Sequence, residues 1–331
     1  MKTQYFFISL LILFGSCSQT PEKPSEAIQI NFADSLSIFA EGIISTPQKE
    51  RDLAISPDGN RILYTKTALN NNFSVIMELV KSGDNWSAPA IAGFSGKYSD
   101  LEPAFSADGK TLFFASNRPA TGDPATGDPA AGDEVNDFDI WKVELADDKW
   151  GTPVRLDTLI NTDGNEFYPS VTKSGNLYYT ASYDFENRKE DIYMAEWNGN
   201  SYEPPVIISD SVNSKYYEFN AFVDPDEQFI IYSSFGRPGA KGGGDLYISK
   251  KDDQNRWMAG VPLPVNTPVL EYCPFVTADK KYFFFTSNSN KIQKTYPNGI
   301  DTDAFEKLLN STENGNGDIW IMPFDEIISL Q

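Results

Sequence analysis

The chain has 331 residues, a formal net charge of −20 and no histidine. Such an acidic chain lacks the clustered Lys and Arg side chains that bind phosphates, which excludes nucleic acid as a partner. Without histidine, Ser-His and Cys-His catalysis within the chain is also excluded, and the commonest metal ligand is missing.

The first residues have the features of an export signal. Lys2 supplies a positive start, and the run Tyr5–Phe14 is apolar. This run is too short to span a membrane as a helix, and it ends at the small residues of Gly15-Ser16-Cys17. A charged start, a short apolar run and small residues at its end indicate a secretory signal.

The end of this segment resembles the lipobox of bacterial lipoproteins, in which the cysteine is acylated after cleavage. The resemblance implies a signal peptide over residues 1–16, lipidation of Cys17, and an anchor with a flexible tether over residues 17–35. We therefore expect an exported lipoprotein of the outer membrane, periplasmic or on the cell surface, that touches the membrane only through its acyl anchor. The alternative is a plain secretory signal with an incidental cysteine. With Cys17 in the anchor, Cys273 has no disulfide partner, and we expect it to be a buried, inert thiol.

A repeated pattern fills the rest of the chain. In each copy, an acid follows five residues after the first member of a small polar pair. The five copies are Ser45-Thr46 with Glu50, Ser95-Gly96 with Asp100, Asn161-Thr162 with Glu166, Asn213-Ser214 with Glu218, and Asn266-Thr267 with Glu271. The pairs start 50, 66, 52 and 53 residues apart, which is the length of one propeller blade.

A turn follows each acid by eight residues, and an apolar strand follows each turn. The turns are Asp58-Gly59, Asp108-Gly109, Ser174-Gly175, Asp226-Glu227 and Asp279-Lys280. In four copies a later strand opens with an acid, an aliphatic residue and an aromatic residue. These openings are Asp139-Ile140-Trp141, Asp191-Ile192-Tyr193, Asp245-Leu246-Tyr247 and Asp318-Ile319-Trp320. Short β-branched and aromatic runs bounded by Gly, Asp and Pro predict β-strands.

The turns resemble those of TolB-type, WD40-like propeller repeats of bacteria, whose signature is Ser-Pro-Asp-Gly before a hydrophobic strand. Ser56-Pro57-Asp58-Gly59 matches this signature fully, and Ser106-Ala107-Asp108-Gly109 differs from it at one position. The resemblance extends over residues 40–325. It implies a β-propeller and an envelope protein that docks a protein or a glycan, whereas activity depends on the site and not on the fold.

The fold class that we predict is an all-β, five-bladed β-propeller with four-stranded antiparallel blades, in one domain over residues 36–331. The alternative is six blades. The last copy lacks a fourth strand after Ile319–Phe324, whereas an extra strand-like segment, Leu36–Ile44, precedes the first copy. We expect this N-terminal strand to complete the last blade, because closure removes exposed sheet edges.

The connectivity predicts which face carries function. In a meander of four strands, the turns between the second and third strands lie at the same end as the links between blades. The long insertions fall in these turns, at residues 117–136, 235–244 and 288–317, and the last one includes a predicted short helix at Asp303–Leu309. We call this end of the propeller the loop face and expect ligands there.

Two sets of charged residues on the loop face are binding candidates. The repeat acids either form a carboxylate ring for a cation or a basic group, or accept backbone N–H bonds that pin the blades together. We favour the structural role, because an acid repeated in every copy lacks the asymmetry of a site. Arg118, Arg188 and Arg237 either grip an anionic ligand through bidentate bonds or pair with the neighbouring acids.

An acidic stretch that includes Asp133, Asp137 and Asp139 is a candidate calcium site, since clustered carboxylate oxygens suit Ca²⁺. The spacing lacks the EF-hand pattern, and Gly, Pro and Ala dominate the stretch. We therefore expect a solvated loop, and we predict no cofactor apart from this calcium candidate.

The sequence favours a non-catalytic envelope lipoprotein whose loop face binds a protein or glycan partner. The alternative is a hydrolase acting on glycans or peptides through carboxylate or tyrosine chemistry in the propeller mouth. An enzyme should have two carboxylates in one deep pocket, whereas a docking protein should have a broad, shallow face.

Overall fold

Short apolar strands that alternate with tight turns produce five antiparallel sheets, as the repeat predicts. The computed structural model describes residues 27–119, 137–182 and 189–329. Within each sheet, consecutive strands pair with their neighbours along the chain. The five sheets are the blades of a propeller, so the five-bladed prediction is confirmed and the six-bladed alternative is wrong.

The strands of each blade follow one another in sequence, apart from β1 (Ser37–Ile38), which belongs to blade 5. Blade 1 holds β2 (Lys49–Ile55), β3 (Arg61–Thr67), β4 (Ser74–Ser82), β5 (Asn85–Trp86) and β6 (Ala90–Ile91). Blade 2 holds β7 (Asp100–Phe105), β8 (Thr111–Ser116), β9 (Asp139–Ala146), β10 (Lys149–Trp150) and β11 (Val154–Arg155). Blade 3 holds β12 (Glu166–Val171), β13 (Leu177–Ala181), β14 (Asp191–Ala195) and β15 (Val206–Ile207).

The last two blades repeat this arrangement. Blade 4 holds β16 (Tyr217–Val223), β17 (Phe229–Phe235), β18 (Asp245–Lys250) and β19 (Val261–Pro262). Blade 5 holds β20 (Glu271–Val276), β21 (Tyr282–Ser287) and β22 (Asp318–Pro323), with β1 as its outer strand. The first strands β2, β7, β12, β16 and β20 contact one another in cyclic order, with β20 next to β2. They therefore surround the propeller axis.

Apolar side chains fill the seams between blades. Each seam has its own cluster of buried residues, such as Leu63, Ile76 and Phe114 between blades 1 and 2. The clusters are rich in aromatic side chains, which bury large areas and explain the 14% aromatic content of the chain. Burial between stacked sheets is therefore the main force that holds the blades together.

The N-terminal strand closes the ring. In β1, Ser37 pairs with Ile321 and Ile38 with Trp320. The expected strand Leu36–Ile44 is shorter than predicted, since the left-handed φ of Ala40 (46°) ends it. Packing also extends further towards the N-terminus than the expected boundary at residue 36, because Ile28, Ile30 and Phe32 contact the seam between blades 5 and 1.

Two helices flank the last strand. The helix α1 (Thr302–Leu309) confirms the predicted helix in the last insertion, and the Asp301 carboxylate caps it by accepting from Ala304 N at 2.7 Å. The second helix is α2 (Asp325–Ile328). No helix in the described part of the chain has the length and apolar character that a membrane crossing needs.

Candidate functional site at the propeller axis

The five repeat acids are fully buried at the start of the first strands, where each strand continues from the link that precedes it. In four blades the acid accepts from the hydroxyl of the second residue of its polar pair, as in the 2.7 Å bond from Thr46 Oγ1 to Glu50. In blade 2 the donor is Ser95 Oγ, at 2.7 Å from Asp100. These bonds fasten each link to the first strand of the blade that follows.

The first residue of each pair contacts the preceding blade. Asn161 Oδ1 accepts from Ile140 N at 2.7 Å, and Asn213 makes the equivalent bond to Ile192 N at 2.9 Å. Each pair and its acid therefore tie two blades together. This agrees with the structural interpretation of the acids, and a ligand contact for any of them stays a prediction.

The loop-face arginines pair with the repeat acids. Arg118 Nη2 donates to both oxygens of Asp100 at 3.0 Å and to Phe94 O at 2.6 Å. Arg237 makes equivalent bonds to Glu218 and Val212 O. The Arg118 side chain is only 9% exposed, so its guanidinium bonds within the protein and has little contact with solvent. Arg188 lies outside the described residues, and ligand binding by any of the three stays a prediction.

The candidate calcium loop is only partly described. Asp133 lies outside the described residues, and the Asp139 carboxylate is taken by Arg155 through bonds of 2.6 and 2.7 Å. Burial, and then the charge of Asp137, raise the pKa of Asp139, whereas the Arg155 guanidinium opposes this change. Across the described ranges, no group of three or more acidic or cysteine side chains is placed to hold a metal ion.

Sequence reasoning missed a second ring of residues, which lies on the axis itself. Two residues after each repeat acid, the first strand has a left-handed φ between 48° and 61° and a shift in pairing register. We call these positions the axial ring: Asp52, Glu102, Tyr168, Asn220 and Cys273. The β-bulge turns each side chain out of its sheet. The available signal was a repeat position that five different residue types occupy, two of them acids.

One arginine ties part of this ring together. Arg51 Nε donates to Asp52 at 2.7 Å, and Arg51 Nη2 donates to Glu102 at 2.6 Å. The same guanidinium lies 3.5 Å from Cys273 Sγ and above the ring of Tyr272. We call these five residues the axial cluster. It joins blades 1, 2 and 5 at the centre of the propeller.

The contact between blades 2 and 3 uses the Glu102 carboxylate where two other contacts between blades use a threonine hydroxyl. The hydroxyls of Thr65 and Thr180, on the second strands of blades 1 and 3, accept hydrogen bonds from the N–H groups of Glu102 and Asn220, each at 3.0 Å. Ala115 occupies the corresponding place in blade 2 and offers no hydroxyl. The Tyr168 N–H donates instead to the Glu102 carboxylate at 2.7 Å.

The axial cluster has an unbalanced charge. Arg51 supplies one positive charge to two buried carboxylates, and Asp52 Oδ2 has no hydrogen-bond partner within the described ranges. Burial and then the Asp52 charge raise the pKa of Glu102, whereas Arg51 opposes this change. Burial also raises the pKa of Cys273, which keeps its thiol protonated. The expected burial of Cys273 is confirmed, and the inertness of its thiol stays a prediction.

A cavity of about 470 Å³ opens from the axial cluster towards the loop face. We call it the axial mouth. Its apolar and aromatic lining residues are Leu101, Phe138, Phe167, Phe219, Leu270 and Tyr272, and the rest of its lining is polar. The lining includes two bases, Lys49 and Arg51, and two carboxylic acids, Glu102 and Glu190. Residues from the loops and from the links line the same cavity, so the prediction that both lie at one end is confirmed. None of the lining residues comes from α1.

The charges of the axial mouth are partly desolvated. Burial and then the Arg51 charge lower the pKa of Lys49, whose ammonium donates to Asn71 Oδ1 at 2.5 Å. Burial raises the pKa of Glu190. Desolvated charges beside aromatic walls are typical of binding sites, in which a few polar groups orient a ligand held by apolar contacts.

The two carboxylates of the axial cluster do not form a free catalytic pair. Glu102 lines the mouth, and Asp52 lies behind it in the axial cluster. Arg51 is bonded to both, and each side chain is at least 96% buried. In this arrangement neither carboxylate is placed to attack a substrate or to protonate a leaving group.

Comparisons with known proteins bear on the fold. No family model and no curated protein matches the chain. Among solved structures, a putative TolB from Agrobacterium tumefaciens is 14% identical over 84% of this chain and 91% of that one, with a TM-score of 0.48. TolB from Acinetobacter baumannii is 14% identical with a TM-score of 0.40, over 83% of this chain and 54% of that one.

A glycosidase is similar to the same degree. The α-L-arabinofuranosidase from Lactobacillus brevis is 13% identical over 86% of this chain and 92% of that one, with a TM-score of 0.46. Likenesses at this level of identity concern the fold alone. The chain is a five-bladed β-propeller, and its predicted resemblance to TolB-type propellers is confirmed at that level.

Proposed function

We propose that the chain is an envelope lipoprotein that binds an anionic glycan or an acidic peptide segment in its axial mouth. Acylation at Cys17 would hold the propeller at the membrane, and the tether would set its distance from the surface. The envelope location is supported by the signal-like N-terminus and by the fold that the chain shares with TolB proteins.

The observation that carries this proposal is the asymmetry of the axial mouth. Phe138, Phe167 and Phe219 place aromatic rings on the side formed by blades 2, 3 and 4, whereas Lys49 and Arg51 lie on blade 1. Aromatic faces stack on sugar rings or on apolar side chains, and the two cations attract a carboxylate. Arg51 is already bonded to Asp52 and Glu102, whereas the Lys49 ammonium donates to the neutral Asn71 amide, so Lys49 is the cation that a ligand carboxylate would reach first.

A hydrolase is the second candidate, because Glu102 lines the same cavity and shares Arg51 with a second carboxylate, Asp52. Catalysis would require Arg51 to leave at least one of them. A ligand carboxylate that competes for Arg51 would have this effect. The two candidates therefore share a ligand class and differ in whether the ligand is cleaved.

The test is binding of acidic oligosaccharides and acidic peptides to the propeller without its acyl anchor, measured by calorimetry. We expect Lys49→Glu and Phe219→Ala each to weaken binding at least tenfold. Lys149→Glu and Val154→Ala are matched controls, since both residues are exposed on outer strands away from the axis. Equal affinities of the native protein and the mouth variants would refute the assignment of the mouth.

The same ligands should be analysed for cleavage after long incubation. Intact ligands bound by the native protein favour the binding role. Products that form with the native protein and disappear with Glu102→Gln, while binding persists, would establish the hydrolase.

A further inference from the structure

A second cavity lies on the axis at the end opposite to the loop face. All five blades line it, through the ends of their first strands and the turns that follow, so it is centred on the propeller axis. Its volume is about 130 Å³. We call it the turn-face socket. The axial cluster separates it from the axial mouth, and Glu102 borders both cavities.

The walls of the socket are apolar rings. Phe105, Phe222 and Phe275 come from three different blades and are only partly buried, although they belong to strands. The Phe222 and Phe275 rings meet edge to face, with centroids 5.7 Å apart. Five prolines, one from each blade or its turn, complete the wall: Pro57, Pro103, Pro169, Pro225 and Pro274. Protein interiors are normally close-packed, so a gap surrounded by rings is a place where an apolar group can bind.

The size of the socket limits its occupant. An apolar cavity of about 150 Å³ in another protein stays dry and takes up benzene, and the turn-face socket is close to that volume. It therefore accommodates one six-membered ring and no more. Rings also make favourable edge-to-face contacts with phenylalanine, which the three partly buried phenylalanines offer to a ring and not to an aliphatic group.

The entrance of the socket is charged. Lys173 donates to Asp226 at 2.7 and 2.8 Å, and Lys280 lies 2.8 Å from Asp224. Lys173 and Asp226 are largely solvent-exposed, with 61% and 46% of their side chains accessible. A polar group attached to the ring would meet these charges at the entrance, whereas the ring itself would lie among apolar walls.

We propose that the turn-face socket is a binding site for a single aromatic ring of benzene size whose polar end stays at the Lys173–Asp226 entrance. The ring belongs either to a small aromatic compound or to a phenylalanine side chain of a peptide, and the chemistry is the same for both. This site is distinct from the axial mouth, and it stands whether or not the proposed function is right.

The test uses ¹⁹F NMR with fluorobenzene and the intact propeller. We expect a saturable shift of the fluorine signal. Ala104→Phe places a ring inside the socket. Ala278→Trp covers the entrance of the socket, and the fold should tolerate this substitution because Ala278 is exposed in a turn. Each variant should weaken binding at least tenfold, whereas Phe219→Ala in the axial mouth should leave it unchanged.

Two further probes refine the result. Fluorocyclohexane has a similar size without an aromatic ring, and we expect it to bind at least fivefold more weakly. N-acetyl-4-fluorophenylalanine amide tests the source of the ring: tighter binding than fluorobenzene indicates a peptide side chain, and weaker binding indicates a small molecule. The proposal is overturned if fluorobenzene fails to saturate, if both socket variants bind like the native protein, or if fluorocyclohexane binds equally well.

Discussion

The Arg51 guanidinium donates to the Glu102 carboxylate at 2.6 Å and so joins the first strands of blades 1 and 2 at the propeller axis. The two residues are 51 positions apart in the chain. The same guanidinium holds Asp52, so one cation serves two buried carboxylates. The centre of the propeller is therefore held by a charge cluster as well as by apolar packing.

Replacing Arg51 with methionine should destabilise the protein strongly. The apolar stem is kept, but two buried carboxylates lose their cation, and breaking a buried ion pair from one side costs about 3–5 kcal/mol. The free energy of unfolding from urea titration measures this loss. Arg256→Met is the control, because its pair with Asp252 is exposed and should contribute less than about 1 kcal/mol.

A double variant identifies the cause of that loss. If unpaired charge is responsible, Arg51→Met combined with Glu102→Gln should be more stable than Arg51→Met alone. A loss below about 1 kcal/mol for Arg51→Met would show that the cluster adds little to stability.

Arg118→Ala should lower the free energy of unfolding, because the guanidinium donates three hydrogen bonds to the buried Asp100 carboxylate. We expect a loss of about 3–5 kcal/mol, and a clearly smaller loss for Arg118→Ala in an Asp100→Asn background. Lys281→Ala provides a control, since its pair with Asp279 is exposed on both sides. Chemical denaturation distinguishes these variants. Equal losses with and without the Asp100 charge would contradict the assignment.

Stability should fall between about pH 4 and pH 7 because of Asp318. Burial and then the charges of Glu50 and Glu313 raise the pKa of Asp318 to about 7. The folded state then binds more protons than the unfolded state in this window, so the free energy of unfolding decreases as the pH rises through it.

The variant Asp318→Asn removes this titration. Its free energy of unfolding should depend less on pH in that window than that of the native protein. Asp279→Asn should change the pH dependence with the opposite sign, because hydrogen bonds from Thr277 and the Lys281 N–H outweigh burial and lower the pKa of Asp279. The effect of Asp279 falls below about pH 4, because its pKa in the folded state is lowered, so thermal melts from about pH 2 to pH 8 measure both. A native pH profile unaltered by Asp318→Asn would refute the assignment.

Phe39→Ala should weaken the closure of the ring. Phe39 is fully buried, its ring packs on Phe284 at 4.9 Å, and its N–H donates to Ile319 O at 2.8 Å. Removing a buried phenylalanine ring costs about 3–5 kcal/mol. Phe305→Ala on α1 is the matched control, because that ring is 41% exposed. Similar effects of the two substitutions would show that the N-terminal segment contributes little to closure.

The repeat pattern predicted five blades, with six as the alternative, and it predicted the order of strands and the closing strand. This was possible because the offsets between the repeat acid, the turn and the next strand lie within one blade and recur in five copies. It also predicted that the links and the long loops share one end of the propeller. It left open whether Arg118 and Arg237 bind a ligand or pair with acids, since spacing does not fix the direction of a side chain. Acylation of Cys17 lies outside the described residues and stays a prediction.

The residues that meet on the propeller axis could not be predicted from the sequence. Arg51, Glu102 and Cys273 come from three blades, and they meet because a β-bulge in each first strand turns one side chain towards the centre. In a regular strand, successive side chains alternate between the two faces of the sheet, and the bulge interrupts this alternation. A prediction from regular alternation therefore assigns these residues to the wrong face. The two axial cavities follow from the same cause, because they are the spaces that the five bulged strands leave above and below the axial cluster.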